Sequence, residues 1–143
     1  MADYHVHLHP HGPWTGEGPQ PGHYPLDHIE AYVESALANG ADHLAFTEHL
    51  YRCVESKTVL GTWWDDDPRK DLRDYTKSYV RAERVLSLER YVQAVVDAKD
   101  HGLPVRLGLE VDFFPETAEA VVEFLEPYPF DILIASTHWV GAW

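Results

Sequence analysis

The chain has 143 residues, 45% of them hydrophobic, and sets 24 acidic side chains against 11 basic ones for a formal charge of −13. That is about the length of one domain able to bury a core; no apolar run nears the roughly 20 residues of a membrane span, and the charge opposes binding to a nucleic-acid backbone through bulk electrostatics. The single cysteine, Cys53, excludes an internal disulfide and a thiolate zinc site, so any metal must be held by nitrogen and oxygen.

The N-terminus is polar and histidine-rich where a secretory signal would be basic and then apolar, so a cytoplasmic location is the expectation. In the stretch DYHVHLHPHG, positions 3 to 12, alternation predicts a strand with His5 and His7 on one face and Tyr4, Val6 and Leu8 against helices on the other. Asp3 stands behind the two histidines. Pro10 and Gly12 end the strand, leaving His9 and His11 in a mobile loop nearer substrate than metal, and residues 9 to 25 are too rich in Gly and Pro for a regular element.

A first helix is predicted in PLDHIEAYVESALANG, with Asp27 as N-cap and Glu30 three residues later. Ile29, Tyr32, Val33, Ala36 and Leu37 form its apolar stripe, and Gly40 stops it. DHLAFTEHL is the second strand. Residues 50 to 86 contain TWWDDDPRKD and a basic stripe, Arg73, Lys77, Arg81 and Arg84, on one face of a helix. The stripe reads as a solvated face, with recruitment of an anionic substrate as the alternative. A further helix, SLERYVQAVVDAKDHG, has Ser87 as cap, Leu88, Tyr91, Val92, Val95 and Ala98 on one side, and Gly102 past its end. PVRLGLEVDFF is the third strand, PETAEAVVEFLEP the next helix and FDILIASTH the fourth strand.

Alternating strands and helices, with nearly continuous apolar strands, imply an α/β fold with a parallel sheet covered by helices. Barrel and open sheet both satisfy that order. His5 and His7, then Thr47, Glu48 and His49, then Glu110 and Asp112, then Ser136 and His138 fall at the carboxyl ends of the four strands. In both architectures that rim holds the site, and converging imidazoles with a carboxylate are metal-binding chemistry suited to Zn, Fe or Mn. His28, His43 and His101 lie on or beside helices, away from the rim.

DYHVH, FTEH, GLEVD and STH, in this order at four strand ends, resemble the four N-terminal motifs of the PHP (polymerase and histidinol phosphatase) superfamily of metal-dependent phosphoesterases. GLEVDFFP, YPFD and STHWVGAW are most similar to its histidinol-phosphate phosphatase branch. The resemblance implies the N-terminal part of a distorted, TIM-like barrel of seven strands holding up to three divalent metals. It places His5, His7 and Glu110 on the first metal, Glu110 as a bridge to a second held also by His138, and His49 on the third. His23, just before the first helix, is the expected partner of His49, with His9 and His11 as competitors. Asp3, Glu48 and Asp112 are expected to orient ligating imidazoles, with Glu48 standing where many members carry Asp. Family members run to about twice this length, so the resemblance implies one PHP domain over 1–143, cut after the fourth strand. The remaining ligands, a histidine and an Asp-x-His pair, would come from a missing C-terminal half or a second subunit.

The chemistry so implied is hydrolysis of a small phosphorylated substrate, most similar to conversion of L-histidinol phosphate to L-histidinol and phosphate in histidine biosynthesis. Clustered ions would activate water for attack and hold the phosphate in line, with Glu110 and His138 in the reacting shell. Arg52 is a candidate for the phosphate and His9 for substrate. Trp63, Trp64, Trp139 and Trp143 read as packing at core or rim, with substrate stacking as the alternative, and Cys53 has no base to make it a nucleophile. Two alternatives remain open: a phosphodiesterase or nucleotide phosphatase, and a non-catalytic metal-binding half-domain.

Overall fold

A computed structural model describes residues 1–142; Trp143 lies outside the described residues. Four parallel strands, β1 (Ala2–Val6), β2 (His43–His49), β3 (Val105–Asp112) and β4 (Ile132–Ser136), form one sheet in the order β1-β2-β3-β4. Each strand pairs with the next in the chain, as in Leu44 with Val105 and Gly108 with Ile132. Parallel crossovers have one hand, so steps in a constant direction set the covering helices on one side. Four parallel strands with helices, wound singly in this way, are consistent with part of an α/β barrel.

The helices are α1 (Leu26–Ala38), a four-residue α2 (Lys57–Leu60), α3 (Lys70–Glu83), α4 (Leu88–Asp100) and α5 (Ala118–Leu125). Helix α1 starts two residues earlier than the Asp27 cap implies: Pro25, extended, holds the N-cap position, and Asp27 lies in the first turn where its charge suits the helix dipole. Its stripe is also narrower than expected. Ile29 and Val33 are buried while Leu37 faces solvent. On α4 the expected side is buried in full, and the Ser87 hydroxyl accepts the Arg90 amide.

Two local features fix how tightly this half-sheet packs. Gly108 leaves room for its neighbours, since a Cβ there would stand 2.7 Å from Thr47 Cγ2 and 2.8 Å from Ile132 Cγ2. The hydroxyl of fully buried Tyr91 reaches the carbonyls of Phe46 (2.7 Å) and Gly108 (2.8 Å), so this member of the apolar stripe also serves the backbone of β2 and β3. Strand β1 is a short edge strand, and Tyr4 is exposed on it with its hydroxyl 2.7 Å from His43 Nε2 instead of packing under a helix. The basic stripe is a solvated face only in its middle: Lys77 and Arg81 are exposed, whereas half-buried Arg73 donates to the carbonyl of Asp67 and half-buried Arg84, just past α3, to that of Tyr51.

Candidate metal centre

The register of β2 and β3 pairs His49 with Glu110, and that of β3 and β4 pairs Asp112 with Ser136, so the polar strand ends reach one level. At that level the Glu110 side chain, 3% exposed, stands among four imidazoles. Its Oε2 lies 2.9 Å from His5 Nε2, 3.5 Å from His7 Nε2 and 3.0 Å from His49 Nδ1, and its Oε1 lies 3.0 Å from His138 Nε2. Two donor groups result, His5 with His7 and Glu110, and His49 with Glu110 and His138. Each is compact enough for one ion, and both share the carboxylate.

The donors fit divalent transition metals in chemistry as well as position. Burial holds His7 down at about 4 and His49 down at about 2, so both rings are neutral at pH 7 and present lone pairs. His49 Nδ1 is buried without a hydrogen-bond partner despite its closeness to Glu110. An orphaned ring nitrogen at a carboxylate is what a ligand atom looks like before its ion. His138 goes the other way: Asp112 Oδ1, 2.8 Å from Nδ1, raises it, and the same contact directs Nε2 toward Glu110. The other Asp112 oxygen accepts the Tyr51 amide at 3.0 Å, which fixes the carboxylate.

His23 is not brought to this cluster. It is exposed beside Pro19, Pro25 and Asp27 at the entry to α1. The imidazole that reaches His49 is that of His11, with the two Nε2 atoms 3.0 Å apart and His11 Nδ1 3.3 Å from the Tyr51 hydroxyl. His9 is not at a substrate surface either: it is 2% exposed, with its ring packed against Tyr24. Asp3 is hydrogen-bonded to the backbone amide of His5, and no hydrogen bond joins it to an imidazole among the described residues.

Arg52 has a different task from the one its sequence position implies. It is 1% exposed, and its guanidinium donates to the carbonyls of His9 and Pro10, each at 2.9 Å, with Nε 3.4 Å from Glu83 Oε2. Glu83 accepts the Gly12 amide, and Glu48 accepts the amides of Leu8 (2.5 Å) and His9 (3.1 Å). Three buried charged groups thus pin residues 8 to 12, the segment that ends in His11. Arg52 is spent on this backbone and is not free for a phosphate. Glu48 serves the β1 side more than His49, with Oε2 3.9 Å from His7 Nδ1.

A cavity of about 500 Å³ opens beside the cluster, with His11, His49 and His138 in its lining. The segment after β4 closes one wall. Ala142 is buried, its amide donates to Asp67 Oδ2 at 3.0 Å, and its carbonyl accepts from Thr76 of α3. Trp63, Trp64 and Trp139 pack on one another, with Trp63 stacked on Phe114 at 4.7 Å, as expected of packing residues. Cys53 is buried, and burial pushes its thiol up, which makes it inert.

Known proteins similar to this chain point to one family. A family profile described as PHP domain matches residues 25–142, a span that includes His49, Glu110 and His138 and begins after His5 and His7. A probable histidinol-phosphatase of Deinococcus radiodurans is 32% identical over 112 residues, covering 78% of this chain and 36% of that protein. A histidinol-phosphatase of Bacillus subtilis is 31% identical over 119 residues, covering 80% of this chain and 38% of its own length. The chain therefore spans less than two-fifths of these relatives.

Proposed function

The chain belongs to the PHP domain family, and on that premise we propose that it supplies part of the active site of a metal-dependent phosphomonoesterase that converts L-histidinol phosphate to L-histidinol and phosphate. The supporting observation is Glu110, one buried carboxylate with His5, His7 and His49 on one oxygen and His138 on the other. A carboxylate with donors on both oxygens would be shared by two cation sites. Divalent ions bound there, up to three and of zinc, iron or manganese, would supply an acidified water and charge to offset that of the phosphate.

The chain's own residues divide the remaining work. His5, His7 and Glu110 form one ligand set; His49, His138 and Glu110 form another. His11 is the neighbour through which His49 would share a third ion. Asp112 holds the proton of His138 on Nδ1 and so keeps Nε2 available, and Tyr51 and Glu83 orient His11. No Lys or Arg lines the cavity among the described residues, which leaves the phosphate to the metal side.

In this reading the chain is one PHP domain, the first four strands of a seven-stranded barrel working in histidine biosynthesis in the cytoplasm. Its coordination sphere would be completed by further polypeptide, from the same longer protein or a second subunit. The test is phosphate release by metal-loaded protein from L-histidinol phosphate, a mononucleotide and a dinucleotide. Release from the first at the highest kcat/KM is expected. Preference for a nucleotide would move the proposal to a nucleotide phosphatase, and no release by folded, metal-bound protein would leave a metal-binding half-domain.

A further inference from the structure

The run TWWDDDPRKD sets three aspartates side by side, and the fold treats the third differently from the other two. Asp65 and Asp66 are exposed, while Asp67 is buried at the entry to α3. Its carboxylate is fixed first by Arg69: Oδ1 accepts the Arg69 amide and Nε, each at 2.9 Å, and Oδ2 accepts from Nη2 at 2.8 Å. A two-pronged, charge-assisted contact of this kind sets the plane of a carboxylate. The same Oδ2 accepts the amide of Ala142, 75 positions along the chain, at 3.0 Å. The carbonyl of Ala142 accepts from the hydroxyl of buried Thr76, so both polar backbone groups of this residue end on side chains of α3 and its lead-in. Gly141 permits the approach, since a Cβ there would stand 2.7 Å from Asp67 Oδ2, and its φ of +68° suits glycine.

What these contacts hold is the short segment after β4 that carries His138. Its middle has little packing of its own. Thr137, Val140 and Gly141 are exposed and Trp139 is half-buried. Two cavities adjoin the segment, the one of about 500 Å³ that His138 and Ala142 line and another of about 680 Å³ lined in part by Thr137, Val140 and Gly141. A bridge so open keeps its shape through its anchors. Ser136 ties it to β3, Asp112 holds the His138 ring at Nδ1, and Asp67 holds the far end. His138 has to present Nε2 to an ion shared with His49 and Glu110, and a ligand serves best on backbone that is already in place.

From these contacts we infer that Asp67 is a positioning residue of the metal centre: through the Ala142 amide it fixes the segment that presents His138, and so sets the affinity of the His49, Glu110 and His138 group for its ion. The inference rests on the metal-centre part of the proposed function and not on the identity of the substrate.

The test is zinc affinity by chelator competition, with folding followed by circular dichroism. H138Q marks the affinity class to which His138 contributes. An asparagine at position 67 has one acceptor oxygen for Arg69 and Ala142 together, and D67N is expected to weaken that class about tenfold. T76V is expected to weaken it about fivefold, while T76S, which keeps the hydroxyl, and D65N, at the exposed neighbour, stay within about twofold of the parent. In an H138Q background D67N is expected to change zinc affinity less than about twofold, because its effect passes through His138. Unchanged affinity in D67N, a further loss of the same size in the H138Q background, or equal weakening by T76S and T76V would each overturn the assignment. If D67N does not fold, T76V against T76S, alone and with H138Q, decides in the same way. A parent that binds no zinc would overturn the metal centre and this role together. A parent that binds zinc and releases no phosphate, with the D67N loss intact, ends the hydrolase reading and leaves the role of Asp67 standing.

Discussion

Asp112 Oδ1 lies 2.8 Å from Nδ1 of His138, and its other oxygen accepts the amide of Tyr51. The carboxylate therefore couples the end of β3 to the imidazole that follows β4. It decides which nitrogen of that imidazole carries the proton. Asp112→Asn keeps the shape and can still accept the Tyr51 amide, but its side chain no longer supplies a negative acceptor on both sides. The expected result is a 10- to 100-fold loss of zinc affinity with unchanged secondary structure, measured by chelator competition and circular dichroism. Unchanged affinity would show that His138 needs no such partner.

Glu110 makes a stronger claim, because a single carboxylate serves both donor groups. In Glu110→Gln one oxygen becomes an NH2 group that cannot ligate, so both groups lose a member while the volume stays constant. Metal stoichiometry, measured by elemental analysis after gel filtration, is expected to fall in steps that involve more than one ion, and phosphate release to disappear. Retention of full stoichiometry would mean that the imidazoles bind without the bridge.

Arg52 separates a structural from a substrate role. The Arg52 and Glu83 side chains are 1% and 6% exposed, and removing one member of such a buried pair leaves the other charged and unpaired. Arg52→Met is expected to lower unfolding stability by about 3 to 5 kcal/mol in urea titrations and to weaken metal binding at His11 and His49. A variant of unchanged stability whose only defect is a raised KM would instead mark Arg52 as a phosphate ligand.

This residue also shows where local reading of the sequence stops. His5, His7, His49, Glu110, Asp112 and His138 were legible because strand periodicity and strand ends are local properties, and a parallel sheet carries all such ends to one rim. Arg52 stands three residues beyond His49, and nothing local tells that the turn at Leu50–Arg52 directs it inward. His11 carries no such local signal. It sits in an irregular Gly/Pro-rich stretch whose shape comes from Glu48, Arg52 and Glu83, which lie 37 to 72 positions further along the chain, and His23 has equal local merit. A buried arginine with two buried glutamates is a tertiary signal, visible only once the partners are in contact. The Asp27 cap failed for a simpler reason, since Pro25 starts a helix without a side-chain acceptor.

Gly108 tests the packing of the half-sheet independently of metal. The contacts of 2.7 to 2.9 Å that a Cβ would make involve Thr47, Ile132 and the carbonyl of Phe46, on both neighbouring strands. Neither strand can move without disturbing the level at which His49, Glu110 and His138 meet. Gly108→Ala is expected to cost about 1 to 3 kcal/mol in denaturant unfolding, with a parallel loss of metal affinity. An equally stable variant would show that the strands have slack there.

The pH dependence of stability follows from the buried imidazoles. Burial lowers His7 to about 4, His9 to about 4 and His49 to about 2, whereas each titrates near 6.5 when unfolded. Below pH 6.5 the unfolded chain takes up protons that the folded chain refuses, so stability falls as pH drops from about 6.5 toward 4. Glu48 acts in the opposite sense, since burial raises it to about 7 and the folded chain retains a proton that the unfolded chain has released above about 4.5. Four lowered imidazoles, His11 among them, outweigh the two raised carboxyls of Glu48 and Asp112, so the melting temperature of metal-free protein is expected to fall between pH 6.5 and 4. His9 isolates the effect, because its ring is buried and lies outside both donor groups. In His9→Gln the slope of melting temperature against pH over that window is expected to flatten, while metal affinity at pH 7 changes little. A slope identical to that of the parent would mean that His9 is protonated in the folded chain with no penalty from burial.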